Sequence, residues 1–282
     1  MSPASFAGPT AEHYAKFRRG YSADVVDHVV VSLGLDGRSR VLDLGCGTGQ
    51  LTLPLARRTR AVLGVDVEPD MLRLAREAGL ASGVTNAGWL LGADSDLDGL
   101  VPLLGEHSFD AVTIGQALHW MDPPRLFSTL GRLLRPAGTV GVIANGTPLW
   151  LQDTAWSQAL RAHLESWLGV ELTAWCGSDP ATRGEYAAQL ADAGFADVAE
   201  TVVEYVDQLT FEQVAGNVYS AMSPEQLPHG PDREVFEQRL REAFAGASAA
   251  DPYVERVAVR VLAGRCVQDD HRVTAAVRAP SR

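Results

Sequence analysis

Apolar positions along the chain fall in short β-favouring runs that alternate with stretches of three-to-four residue periodicity. Val41-Leu42-Asp43-Leu44 runs directly into Gly45, Gly47 and Gly49 on alternate positions, which predicts a buried strand, a tight turn and a helix start. Pro54 suits an early helical position, so that helix begins near Thr52 or Leu53. Further strands are predicted at 61–66, 88–91, 109–114 and 139–143. Helices are predicted from Met71 to Ala78, closed by Gly79, and from Pro124 to Leu134, stopped by Pro136-Ala137-Gly138. Residues 116–122 read as a loop. Strands alternating with helices of this length mean βαβ units and a parallel sheet with both faces covered.

The flanks follow other rules. Tyr14, Phe17 and Tyr21 recur at spacings of three and four, which suits either a helix packed on the core or a lid over a ligand. Ser22 is placed to cap a helix through Val25, Val26, Val29, Val30 and Leu33, with Gly34 at its end. After Asn145 the pattern changes. Asp153 is placed to cap a helix with Trp156, Leu160, Leu164 and Trp167 on one stripe, ended by Gly169. Four tryptophans (Trp150, Trp156, Trp167, Trp175) fall in this segment, most of them as packing residues and a minority as walls of an apolar pocket. A helix at 185–193, a strand at 199–205, a helical stretch at 210–250 broken at Ser223-Pro224 and Pro228-His229-Gly230, and a last strand at 256–262 complete the pattern. Residues 1–10 read as a mobile start and 268–282 as a frayed tail.

The chain has 282 residues, of which 46% are hydrophobic and 21% charged, enough for one large α/β domain with a cap. A formal net charge of −11 argues against a polyanionic partner, since nucleic-acid binding leaves a basic footprint. A small-molecule substrate fits better, with no nucleic acid and no membrane, in a monomer or homodimer. Cys46, Cys176 and Cys266 form neither a disulfide framework nor a C-x-x-C metal pair, so no metal is expected and a reducing cytoplasm is the expected location. No window approaches the length of a membrane span.

Glycines without Cβ let a ligand approach the main chain, and helix N-termini offer free amides, so a nucleotide-like ligand is expected against residues 45–50. A dinucleotide turn wants G-x-G-x-x-G, and its third glycine position is Gln50 here. Asp66, at the end of the second strand, is placed for ribose hydroxyls with either ligand. Asp94 follows the third strand, where it would accept from an adenine amine or else cap a turn, while Val67 and Met71 offer apolar faces to the ring.

VLDLGCGTG, GVDVEPDML, GADSDL, FDAVTIGQALHWMD and LLRPAGTVGVI, in that order over residues 40–143, resemble the motifs of class I S-adenosylmethionine-dependent methyltransferases. Tyr14-x-x-Phe17-Arg18-x-x-Tyr21 and Gln116-Ala117-Leu118-His119-Trp120 are similar to the small-molecule branch of trans-aconitate type, also called type 11-like. The resemblance implies a Rossmann-like, doubly wound α/β fold with a mostly parallel seven-stranded sheet, an antiparallel last strand and helical cap insertions. It implies a single domain, with N-terminal lid helices at 1–37, a cofactor-binding core at 38–146, cap insertions at 147–184 and 207–254, remaining core at 185–206 and 255–266, and a tail at 267–282. It further implies S-adenosyl-L-methionine as cofactor. Gly45 and Gly47 would then approach its amino-acid end, Asp43 support the turn, Asp66 take the ribose, Met71 cover the adenine, and Asp94 with the Ser95 backbone address its edge. Gln116 would line the methionine part and Tyr14 close over it.

A sulfonium methyl is already a strong electrophile, so the protein needs mainly to hold a nucleophile in line and exclude water. His119, after the fourth strand, is the candidate general base; the alternative is that His119 and Trp120 only shape the loop. The expected activity is methyl transfer to a small, apolar or aromatic metabolite of secondary metabolism. A non-methylating reaction such as cyclisation on the same fold, and NAD-dependent oxidoreduction, are the alternatives.

Overall fold

A computed structural model describes residues 6–173, 176–247 and 252–267. The expectations for residues 1–5, for Trp175 and for the tail at 268–282 lie outside the described residues. In chain order the elements are α1 (Pro9–Phe17), α2 (Ala23–Ser32), β1 (Arg40–Leu44), α3 (Thr52–Ala56), β2 (Ala61–Asp66), α4 (Pro69–Ala81), β3 (Ala87–Leu91), α5 (Leu97–Leu104), β4 (Phe109–Gly115), α6 (Pro123–Leu133), β5 (Leu134–Asn145), α7 (Ala155–Leu168), α8 (Pro180–Asp192), β6 (Phe195–Leu209), α9 (Phe211–Tyr219), α10 (Pro231–Gly246) and β7 (Tyr253–Cys266).

The strands form one sheet in the order β3-β2-β1-β4-β5-β7-β6. β1 to β5 run parallel, and β7 enters antiparallel between β5 and β6. The order reverses at β1, so β1 and β4 diverge there and open a crevice beyond their carboxyl ends. This is the predicted Rossmann-like, mostly parallel architecture. β1 and β4 are buried almost without interruption, as strands covered on both faces must be, with Asp43, Asp110 and Thr113 as their buried polar residues. Two apolar clusters flank the sheet, one with Leu42, Ile114 and Phe127, the other with Val29, Val41 and Val259. A third, away from the sheet, gathers Trp156, Tyr219, Phe236 and Phe244 from α7, α9 and α10.

Four local readings differ from the structure. The fourth helix does not close at Gly79; it continues to Ala81, because Gly79 is buried and a Cβ there would already press on Leu53 at 3.3 Å. The helix read to Leu134 ends at Leu133, but the strand expected from 139 already starts at Leu134, and Pro136-Ala137-Gly138 forms a bulge within it, with Ala137 at φ +62° and β4 paired on both sides. Thr154, rather than Asp153, caps α7, its hydroxyl accepting from the Ser157 amide. The helix expected from Glu185 begins five residues earlier, where Asp179 accepts from the Thr182 amide and Pro180 occupies the first turn. α5 had no counterpart in the sequence pattern, since Gly99 and Pro102 mask its apolar face.

β3 explains part of the glycine pattern. The Trp89 indole lies under the turn after β1, where a Cβ on Gly49 or on Gly64 would come within 2.9 Å of it. Gly49 thus makes room for the sheet's own packing rather than for a ligand.

Candidate functional site

The turn after β1 is held from within. Gly45 sits at φ +62°, and a Cβ there would overlap that of Ala117 at 2.3 Å. The Gly47 amide donates to Asp66 Oδ2 at 2.8 Å, while Asp66 Oδ1 accepts from the Glu68 amide at 2.9 Å. The amides of Cys46 and Gly49 bond the carbonyls of Val65 and Cys46. These three turn amides, expected to be free for a ligand, are therefore already engaged, and α3 is only five residues long. These three amides are thereby closed to a pyrophosphate.

Asp43 anchors the floor. It is buried, and its two oxygens accept from Thr52 Oγ1 at 2.5 Å and Thr113 Oγ1 at 2.7 Å. Burial still pushes its carboxyl up to about 6, against the pull of those two hydroxyls. Asp66 is raised by burial too, opposed by the amides of Glu68, Gly47 and Val67.

Tyr14, Asp43, Gly45 and Gln116 line one cleft. Gln116 takes φ +55° and donates its amide to the Ile143 carbonyl, which turns the chain sharply at the end of β4. The Tyr14 ring faces Gly47, 3.7 Å from where a Cβ would stand, and burial raises its hydroxyl. Gly47, Asp66, Val67, Met71, Asp94 and Ser95 lie outside the residues lining this cleft, in the turn after β1 and along the ends of β2 and β3. Val67 is largely exposed, whereas Met71 is buried and offers a ligand little surface. Asp94 Oδ2 accepts from the Asp122 amide at 3.2 Å, tying the turn after β3 to that after β4.

His119 lies outside the cleft lining as well. Its ring packs on Trp120 with centroids 4.8 Å apart, and its Cβ lies 3.4 Å from where Gly177 would carry one. Burial, helped by the Arg18 charge, lowers its imidazole to about 4. It is neutral near pH 7 and a weak base.

The remainder of the cleft includes Tyr21 and Trp150, which the sequence offers for a lid and a pocket wall, and Arg19, Asn145 and Asn217, which it does not single out, together with Arg18 and Cys176. The segment 14–21 reaches across the mouth and is fastened at several points. Gln50 Nε2 donates to the Arg18 carbonyl at 3.1 Å, which gives the residue at the missing dinucleotide glycine a task of its own. Arg19 pairs with Glu255, which is fully buried, and donates to the Asn145 carbonyl at 3.2 Å. Asn145 Nδ2 returns the bond to the Arg19 carbonyl at 3.3 Å, and Gln152 Nε2 donates to the second Glu255 oxygen at 2.6 Å. Phe17 lies on Gly216 and Tyr21 on Gly115, so closely that a Cβ at either glycine would overlap the ring or hydroxyl. The spacing of Tyr14, Phe17 and Tyr21 suits a packed helix or a lid, but the glycines that Tyr21 and Phe17 face, 94 and 199 positions away, carry no local signal.

Residues 41–138 match the methyltransferase domain family described as "Methyltransferase domain". Among solved structures, the chain is similar to a protein of Anaeromyxobacter dehalogenans assigned as a type II methyltransferase. The TM-score is 0.57 at 19% identity, covering 90% of this chain and all of that one. It is also similar to the YcgJ protein of Bacillus subtilis, with a TM-score of 0.53 at 16% identity, covering 86% of this chain and 98% of that one. The chain thus shares the Rossmann-like fold of these structures, and its residues 41–138 resemble a methyltransferase domain. In sequence it resembles the uncharacterized methyltransferase Rv3342 of Mycobacterium tuberculosis, 36% identical over 138 residues, which are 49% of this chain and 51% of that protein. It also resembles a ubiquinone biosynthesis O-methyltransferase of Xanthomonas oryzae pv. oryzae, 37% identical over 116 residues, which are 40% of this chain and 45% of that one. The chain spans about half the length of the curated relatives it matches. Among the described residues, no helix is long and apolar enough to cross a membrane.

Proposed function

We propose that the protein is a methyltransferase that uses S-adenosyl-L-methionine and passes its methyl group to a small acceptor with an apolar or aromatic body. The observation that carries the reading is the state of the turn after β1. Its amides at Cys46, Gly47 and Gly49 are engaged internally, and the Asp66 carboxylate is fixed at its edge by the Gly47 and Glu68 amides. Such a turn suits a nucleoside whose ribose hydroxyls meet a carboxylate and whose far end carries no pyrophosphate.

In this reading Asp66 takes the ribose, Val67 and the edge of Met71 border the adenine, and Asp94 with the Ser95 backbone addresses its rim. Gly45 and Gly47 leave the main chain open to the amino-acid end, beside Gln116 and under Tyr14. The cofactor supplies an activated methyl on a sulfonium, so this chain's own part is to hold the acceptor in line and keep water out. Tyr14, Tyr21 and Trp150 supply aromatic surface around the cleft for both tasks. Asp43 is tied up by two threonines and serves the floor, not proton transfer. His119 stays neutral and outside the cleft lining, so its part is to shape the wall.

The test is mass spectrometry of the protein incubated with methyl-labelled S-adenosylmethionine and a metabolite extract. A labelled product together with S-adenosylhomocysteine supports the reading. Conversion of a metabolite with neither label transfer nor S-adenosylhomocysteine would replace it with a non-methylating reaction on the same fold.

A further inference from the structure

The two outer strands of the sheet, β7 and β6, are covered unequally on their two faces. Their register sets Val203 against Val259 and Tyr205 against Val257, and this row packs in one apolar cluster with Val29 of α2. The alternate residues point the other way. There α8 covers the start of β6, its Leu190 lying on Gly264 and its Arg183 pairing with Glu200 at 2.8 Å. Beyond Glu200 the face lies open: Val202 is 43% exposed, Val206 62% and Val254 47%. Valines grouped on a bare sheet face, rather than scattered singly, are what a contact surface presents.

The charges on this face decide what it can meet. Glu204 on β6 stands opposite Ala258 on β7, and Arg256 and Arg260 stand one step to either side of Ala258 on the same face, opposite Val206 and Val202. Arg260 pairs with Glu200 at 3.3 Å, whereas Glu204 and Arg256 are exposed and have no ion-pair partner among the described residues. The face therefore carries its acids on β6 and its bases on β7. A uniformly acidic or basic partner would be repelled by one of the two strands. A second copy of the same face would not.

We infer that the protein forms a two-fold dimer through this face. A two-fold axis running along the strands, between β6 and β7, lays β6 of one copy over β7 of the other in a self-complementary contact. Glu204 of each copy then comes over the short Ala258 side chain of the other, between Arg256 and Arg260. Val202 and Val206 close over the aliphatic stems of those arginines, and the two sheets stack about 10 Å apart as in a β-sandwich. A two-fold across the strands would instead stack β6 on β6, acid on acid. Pairing of two β6 edges would likewise gather Glu200, Glu204 and Asp207 of both copies along one seam. The patch is smaller than the standard interface of about 800 Å² a side, so the dimer should dissociate at about 10 to 100 μM.

The experiment is sedimentation of the full chain from about 5 to 500 μM, in wild type, Glu204→Arg and Arg256→Glu. The wild type should pass from one chain to two across that range. Each substitution should weaken self-association by about tenfold or more, through like charges brought face to face. An equimolar mixture of the two variants should regain the dimer, because each supplies the charge that the other lacks. Thermal midpoints should stay within about 2 °C of wild type, both residues being exposed, so a lost dimer is not a lost fold. A wild type that stays a single chain at the highest concentration overturns the inference. So does a dimer that neither substitution weakens, or a mixture that stays dissociated. A dimer that Glu204→Arg strengthens and Arg256→Glu leaves unchanged overturns it too, since that is how two β6 edges would pair.

Discussion

The two walls of the cleft are built on opposite plans. The wall from β1, β2 and β4 is mostly local: Asp43 and Gly45, with Gly47 and Asp66 adjoining the lining, lie within 24 residues, Asp66 holds the amides of Gly47 and Glu68, and Asp43 reaches further, to Thr113. The facing wall is assembled from a distance. Arg19 meets Asn145 across 126 positions and Glu255 across 236, and its fixed points are side chains. A local wall can be read from a short motif and tolerates change around it. A wall tied through one buried ion pair gains its shape only when the whole chain has folded, and it depends on single side chains.

That contrast can be broken most sharply at its two anchors. Gly45→Ala forces an L-residue to φ +62° and a methyl into Ala117, which should cost about 4 kcal/mol and abolish cofactor binding, read by urea unfolding and titration. Glu255→Ala leaves Arg19 buried without its counter-charge and should cost about 3 kcal/mol, whereas Glu255→Gln, which keeps the hydrogen bonds, should cost clearly less. In the Ala variant, binding at the far wall should suffer before S-adenosylhomocysteine does.

Asp43 supplies a pH test of the local wall. Burial lifts its folded-state value to about 6 from the 3.8 of a free carboxyl, so between those values the native protein holds a proton that the unfolded chain has released. Its contribution therefore favours folding below about pH 4 and is lost as pH rises to about 6, by about 3 kcal/mol in all. Asp43→Asn lacks this dependence. The stability of wild type relative to the variant should fall as pH rises through that window, and a flat difference would contradict the assignment.

His119 carries the smallest effect. Lowered to about 4 by burial, it is neutral from pH 5 upward and cannot produce an inflection in rate near 6.5. His119→Ala should slow transfer by less than about tenfold, in contrast to the hundredfold or more expected of a general base.

How much of this was legible in the sequence follows the same division. The alternation of strands and helices through β5 and the place of Asp66 at the end of β2 could be read because each is written in consecutive residues with a strand's or a turn's own chemistry. Ser22 as the cap of α2 and Gly169 at the end of α7 were legible for the same reason. Gly79, Pro136 and the start of α8 misled because glycine and proline also serve burial, bulges and first turns. Gly49 looked like part of a ligand turn but answers to Trp89, a residue of another strand. The Arg19–Glu255 pair had no sequence signal, since nothing near either residue distinguishes a buried ion pair from two solvated charges.

The central claim is that the local wall receives S-adenosylmethionine. Calorimetric titration with S-adenosylhomocysteine tests it most directly. One equivalent should bind to the wild type, and Asp66→Ala, which removes the ribose carboxylate, should weaken it by at least about tenfold. Saturable binding of NADH with none of S-adenosylhomocysteine, or an affinity that Asp66→Ala leaves unchanged, would contradict it.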